Sequence, residues 1–114
     1  MEIKLIMEGI QALAKLNHSS LKLKTALDVM RNTEECQKVV DLFESRRKEL
    51  VAPLGDDPEN ADEALQAEVI EKINKLLGEE VEVTIKKLPM SQLAEVEISA
   101  GELFTIMWMI DEDA

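Results

Sequence analysis

The stretch from Leu76 to Ile110 constrains the fold most, because it contains the only pattern in the chain that is typical of β-structure. Apolar and polar side chains alternate over 81–86 and again over 95–99, and a period of two places one apolar and one polar face on a strand. The intervening LPMSQLA is too long for a tight turn, so we expect a wide connection or one helical turn. The sequence therefore predicts a small β element near 80–99.

A C-terminal helix is expected to follow this β element directly. Ser99 and Glu102 stand three positions apart just before an apolar run, which is the spacing of a capping box. From Leu103 to Ile110 the side chains are apolar almost all round. Such a pattern is typical of a helix that is buried on most of its surface.

The N-terminal residues also predict a helix. Between Ile3 and Leu16, apolar side chains recur at intervals of three and four residues, which is the period of one helix face. Gly9 lies inside this pattern and weakens a helix by about 1 kcal/mol relative to Ala. A short strand over Glu2–Ile6, followed by a helix from about Met7, is the competing interpretation.

Residues 21–52 form the longest helical candidate. Its apolar side chains predict one stripe that continues just past its end: Leu23, Leu27, Met30, Val40, Phe43, Leu50 and Leu54. The polar interruption at Asn32–Glu35 allows either one continuous helix or two helices with a break. A continuous helix of about 48 Å would outreach a compact domain of about 35 Å, so its stripe would need a third helix or a second copy of the chain as cover. We expect a homodimer with this interface: Met30, Val40, Phe43 and Leu50.

A third helix is predicted after a short connection. Asp57 as N-cap with Pro58 at the first helical position is a strong start signal, and Gly78 is the expected C-cap. Between them, apolar residues step by three or four positions down one face. Because the connection to the preceding helix is short, the two helices are expected to form an antiparallel αα-hairpin.

Together these elements predict an α+β fold. We expect one domain over 1–114, with a helical part over 1–78 and a β-β-α part over 79–114. Apolar residues make up 46% of the chain but aromatic residues only 3%. The core is therefore expected to consist of Leu, Ile, Val, Ala and Met.

Charge is distributed unevenly along the chain. Residues 1–54 contain 9 basic and 8 acidic side chains, whereas residues 55–114 contain 4 basic and 16 acidic ones, which gives the second part a net charge of −12. Phosphates would be repelled by this part, so nucleic acid is not an expected partner. A basic protein surface is compatible with it, as is simple solubility. No apolar run is long enough for a transmembrane helix, and no signal peptide is evident, so a cytosolic protein without membrane contact is expected.

No arrangement of residues predicts a catalytic, cofactor-binding or metal site, so we do not expect an enzyme. The acidic stretch 56–62 lacks the oxygen ligand and the glycine that an EF-hand loop needs, since Pro58 and Ala61 occupy those positions. His18 and Cys36 are the only His and Cys, and 18 positions along a helix separate them by about 27 Å. If both lie along one helix, they are too far apart for a catalytic dyad.

Three segments carry a resemblance to a known family. They are LFESRRKEL (Leu42–Leu50), LLGEEVEV (Leu76–Val83) and PMSQLAEVEISAGEL running into FTIMWMI (Pro89–Ile110). Their order resembles that of a family of small uncharacterised proteins encoded by tailed bacteriophages. This chain departs from that family in its Gly101–Glu102 pair and in having no Tyr. The resemblance implies a viral origin and an α+β fold, and it carries no active residue.

Two functional classes follow from these observations. The first is a non-catalytic phage accessory protein that binds a host or viral protein in the host cytoplasm, including inhibition of a host protein or defence system. The alternative is a structural or assembly component of the virion that acts by self-association of the long helices.

Overall fold

Most of the chain is helical, and the remainder includes one very small sheet. The computed structural model describes residues 1–112, in which the α-helices are α1 Ile3–Asn17, α2 Leu23–Val51, α3 Glu63–Leu77 and α4 Ala100–Thr105. The strands in the same residues are β1 Leu88–Pro89 and β2 Ile110–Asp111. Single 3₁₀ turns cover Ala52–Leu54, Pro58–Asn60, Met90–Leu93 and Met107–Met109. The predicted α+β class is confirmed, while Asp113 and Ala114 lie outside the described residues.

The long helix α2 is continuous over 29 residues, so of the two alternatives left open at Asn32–Glu35 the unbroken helix is the one that forms. The molecule lengthens to match this helix, with extents of 52 × 25 × 20 Å. Its radius of gyration is 17.1 Å, whereas a compact chain of this length would have about 13 Å. Helix α1 packs along α2, and α3 packs against its C-terminal part, where Leu50 and Leu76 line one depression. Helix α2 therefore does not extend beyond the rest of the domain, although such an extension was the reason for expecting a dimer.

The buried face of α2 is not the predicted apolar stripe. Its buried residues include three polar ones, Thr25, Asp28 and Asn32, whose exposed fractions are 3%, 5% and 0%. By contrast, Leu23 is 85% exposed and Met30 is 46% exposed. The helix is thus rotated so that a partly polar face meets the core. The same face also buries Val29, Cys36, Val39 and Phe43, and Asn32 within it contacts a distant part of the chain.

The side chain of Asn32 forms two hydrogen bonds with the backbone of Lys86. Its Nδ2 donates to the carbonyl oxygen of Lys86 at 2.8 Å, and its Oδ1 accepts from the Lys86 N–H at 2.7 Å. One amide thereby pairs the donor and the acceptor of a single residue, as a neighbouring strand would. The segment that precedes β1 is held extended against α2 by this pair.

The strands expected over 81–86 and 95–99 do not form, because neither run belongs to a strand in the described residues. The strands that do pair are parallel, with Leu88 opposite Ile110. Over 81–85 the predicted alternation is nonetheless seen in the exposure of side chains, since the apolar residues are half-buried and the polar ones exposed. Two residues per strand add little stability by themselves, so the pair depends on the burial of Leu88 and Ile110 in the core.

The C-terminal apolar run is helical over only part of its length. Ser99 caps α4 as predicted, because its Oγ accepts a hydrogen bond from the N–H of Glu102 at 3.1 Å. The helix ends at Thr105, however, and none of its six residues is fully buried. The prediction of a buried helix up to Ile110 is therefore wrong in extent and in burial. The buried residues follow the helix: Ile106, Met109 and Ile110.

The observed first residues of α1 and α3 test two further predictions. Helix α1 begins at Ile3, so the competing strand over Glu2–Ile6 is wrong, although Glu2 forms an isolated antiparallel bridge with Glu80. Helix α3 is capped by Asp62 rather than Asp57, because Pro58 begins a separate 3₁₀ turn. Gly78 is the C-cap of α3, as predicted.

Gly9 allows the C-terminal segment to approach α1 closely. A Cβ atom at this position would lie 3.1 Å from the carbonyl oxygen of Thr105 and 3.3 Å from the Cγ2 of Ile106. The backbone of Thr105 has little room to move, since its carbonyl also accepts a hydrogen bond from the indole N–H of Trp108 at 2.9 Å. The glycine that weakens the helix therefore makes the packing of α1 against this segment possible.

Replacement of Asn32 by Ala should lower the free energy of unfolding by about 2 kcal/mol, because both backbone groups of Lys86 would lose their partner at a partly buried site. Asn17→Ala is the matched control, since Asn17 also forms two hydrogen bonds but is exposed. It should cost less than about 1 kcal/mol. Urea denaturation of both variants measures the difference, and equal losses would contradict the role assigned to Asn32.

Replacement of Gly9 by Ala should lower the free energy of unfolding by about 1 kcal/mol, although Ala is the better helix former. Overpacking costs about 1–3 kcal/mol, which outweighs a gain in helix propensity of about 1 kcal/mol. Gly101→Ala is the control, because a Cβ there would meet no atom within 4 Å. Thermal denaturation should show no loss for Gly101→Ala, and a stabilised Gly9→Ala would disprove the close packing.

Candidate functional site

An apolar pocket opens between the end of α1, the 3₁₀ turn before residue 94, and α4. Its volume is about 220 Å³. The residues that line it are all apolar: Leu16, Met90, Leu93, Ala94, Val96, Ile98, Leu103, Ile106 and Ile110. All but Leu16 come from the excursion that the chain makes between β1 and the first residue of β2. The parallel strand pair closes the base of this excursion.

The segment 95–98 forms one wall of the pocket. Val96 and Ile98 are half-buried and line the cavity, whereas Glu95 and Glu97 are exposed. The alternation that predicted a strand thus describes a real two-faced segment. Its apolar face borders an open cavity instead of a second strand, and Glu95 and Glu97 lie on its exposed face.

Helix α4 forms the opposite wall and is held to α1 by an ion pair. The Nζ of Lys15 lies 2.7 Å from the Oε1 of Glu102, and the hydroxyl of Ser99 donates to the same carboxylate at 2.9 Å. The hydrogen bond from Lys15, followed by that from Ser99, lowers the pKa of Glu102 below its ordinary value. Glu102 is therefore ionised at neutral pH and fixes α4 next to the end of α1.

An exposed aromatic ring follows the pocket wall in the sequence. Leu103 lines the cavity, and Phe104, the next residue of α4, is 80% exposed. A large apolar side chain that is this exposed adds little to the stability of the isolated protein. It buries a large area, however, when another protein covers it. The pocket and Phe104 together form the surface that we call the α4 site.

The predicted interface residues do not share one surface. Phe43 is 6% exposed and belongs to the core, so it is unavailable as a contact residue on this fold. Val40 and Leu50 are half-buried, and Leu50 also packs against the core. Of the four, only Met30 is exposed. It lies seven positions after Leu23, which places both on one side of α2.

Groups with intrinsic chemical reactivity lie elsewhere. Cys36 is fully buried, and burial, with a smaller contribution from the Glu35 carboxylate, raises the pKa of its thiol to about 11. It therefore carries little thiolate at neutral pH. His18 is exposed and lies beyond the end of α1.

Among residues 1–112 no group of three or more His, Cys, Asp or Glu side chains is arranged to hold a metal ion. None of the described helices has the length and apolar composition needed to cross a membrane.

Comparison with known protein families, with curated proteins and with solved structures finds no match to this chain. The similarity to phage proteins stays a prediction. The sequence pattern had identified the apolar residues near 96–98 and 103–110 as inward-facing, but it gave no sign that they border an open cavity. The shape of the cavity depends on contacts such as that between Lys15 and Glu102, which are 87 positions apart.

Proposed function

We propose that this chain is a non-catalytic accessory protein, of the phage type that its motifs resemble, and that it acts by binding another protein through the α4 site. The observation that carries the proposal is an apolar pocket of about 220 Å³ followed in the chain by a Phe104 ring that is 80% exposed. Pockets that receive an anchoring side chain, with an aromatic residue nearby, are typical of protein–protein contacts.

The chemistry of the lining supports binding more than catalysis. Every side chain in the pocket is aliphatic or a thioether, and none can transfer a proton or attack a carbonyl at neutral pH. The net charge of −12 on residues 55–114 argues against nucleic acid as the partner. The proposed partner is a host or viral protein in the host cytoplasm, including one that belongs to a host defence system.

The test is capture of the partner from host lysate with variants of the α4 site. Ala94→Trp should abolish capture, because Ala94 is exposed at the pocket and a ring there would occupy the cavity. Phe104→Ala should weaken capture without lowering the melting temperature, since the side chain is exposed. Mass spectrometry of the retained proteins provides the measurement.

Two matched control variants on α3, outside the α4 site, accompany this test. Ala67→Trp adds the same ring at an exposed position of α3, and Ile70→Ala removes an apolar side chain that is 59% exposed on the same helix. Both should retain the partner. Equal capture by all five proteins, the parent included, would refute the α4 site as the contact surface.

The alternative function, self-association within a virion or an assembly intermediate, is favoured by a different observation. Leu23, Leu27 and Met30 lie on one side of α2, and Leu23 is 85% exposed. A second copy packed on this side would bury them, and the near-neutral charge of residues 1–54 would not oppose the contact. A homodimer of this kind would use Met30 but not Phe43.

Sedimentation equilibrium at micromolar concentration tests the alternative. If this side of α2 forms a dimer, Met30→Glu should give the mass of a monomer. Leu42→Glu is the control, because Leu42 has nearly the same exposure, 45% against 46%, and lies on a different side of α2. A monomeric parent protein, or a dimer that both variants leave intact, would exclude this interface.

A further inference from the structure

The volume of the pocket limits what can fill it. Sites for free small ligands usually enclose about 300–1,000 Å³, and this cavity of about 220 Å³ lies below that range. It matches one bulky side chain. A side chain delivered by a polypeptide also accounts for the exposed Phe104, which would contact the residues next to the anchor.

The charges around the pocket indicate the sign of the flanking residues. The chain has no basic residue between Leu88 and Glu112, and the acidic residues in that range are Glu95, Glu97, Glu102, Asp111 and Glu112. This range supplies eight of the nine lining residues. Lysines from outside this range also lie nearby: Lys15 is paired with Glu102, Lys22 borders a shallow depression with Glu95, and the Nζ of Lys87 donates to the carbonyl oxygen of Trp108. Glu95, Glu97 and Glu112 still outnumber Lys22 and Lys87, so the local balance is acidic.

We propose that the α4 site recognises a cationic polypeptide segment in which one bulky aliphatic or aromatic side chain, flanked by Lys or Arg, enters the pocket. This inference rests on the proposed function and adds the chemistry of the partner. The apolar anchor supplies the burial, and the flanking cations meet Glu95 and Glu97, which stand on either side of the lining residue Val96. A polyanionic or neutral segment would lack the charge contact with Glu95 and Glu97.

Fluorescence anisotropy with short labelled synthetic peptides tests this inference. The probe is a Lys/Ser peptide with one central Leu, compared with the same peptide carrying Ala at the centre and with a Glu/Ser peptide carrying Leu. The Lys/Ser/Leu peptide should bind at least tenfold more tightly than either. Ala94→Trp should weaken its binding at least tenfold, and methyl resonances of Val96 and Ile98 should shift on binding only in the parent protein.

Charge variants separate recognition from simple attraction. Glu95→Gln/Glu97→Gln should weaken binding of the cationic peptide about fivefold at low salt, and this difference should vanish in high salt. Asp56→Asn/Glu59→Gln changes the net charge equally, at exposed positions of the loop before α3, and should leave binding unchanged. Equal weakening by both double variants would overturn the inference, since it would show attraction to net charge alone.

The remaining outcomes distinguish this inference from the proposed function. If peptides of either charge bind equally, or none binds while capture from lysate still depends on Ala94, the partner chemistry is wrong and the proposed function stands. If a dimer of the parent protein is lost in Ala94→Trp, the occupant is a second copy and the inference is overturned. If capture is also independent of Ala94, the proposed function fails as well.

Discussion

The pairing of Asn32 with the backbone of Lys86 is the contact on which the rest of the structure depends. It joins positions 54 apart in sequence and occupies a site with no solvent exposure on the Asn32 side. A buried backbone N–H and carbonyl that lack partners are costly, so an extended segment against a helix needs a side chain that can both donate and accept. The side-chain amide of Asn32 provides both the donor and the acceptor. It thereby holds the segment that leads into β1 against α2.

The α4 site is a consequence of the path of the chain from β1 to β2. Once Leu88 is placed in the core, the chain leaves it through a 3₁₀ turn, passes along 95–98, forms α4 and returns to pair Ile110 beside Leu88. Parallel strands need a long crossover of this kind, since no tight turn can join them. The pocket is the space that the crossover encloses. Its width is set on one side by the Lys15–Glu102 ion pair and near its floor by the close approach of Ile106 to Gly9.

Local patterns in the sequence were sufficient for the existence of the first three helices, but not for the start of α3, the extent of α4 or the packing of the helices. The spacing of apolar residues predicted α1, α2 and α3, and cap residues such as Ser99 and Gly78 were identified correctly. The buried face of α2 was missed because Thr25, Asp28 and Asn32 resemble exposed residues in any count of hydrophobicity. The partner of Asn32 is a backbone group, which no side-chain pattern reveals. The β pairing was missed for a related reason: alternation marks a two-faced segment, but it does not say what lies against either face.

The open pocket and the exposed ring of Phe104 arise from one geometric fact. Consecutive helical residues project about 100° apart, so when Leu103 faces the cavity Phe104 points outward beside it. The Ser99 cap and the Lys15–Glu102 pair hold α4 in this rotation and prevent the larger side chain from turning inward. Burying a Phe side chain is worth about 1.5–3 kcal/mol, and the isolated protein forgoes that stabilisation. A partner that covers Phe104 and fills the cavity, as proposed above, would recover this stabilisation without any change in the fold.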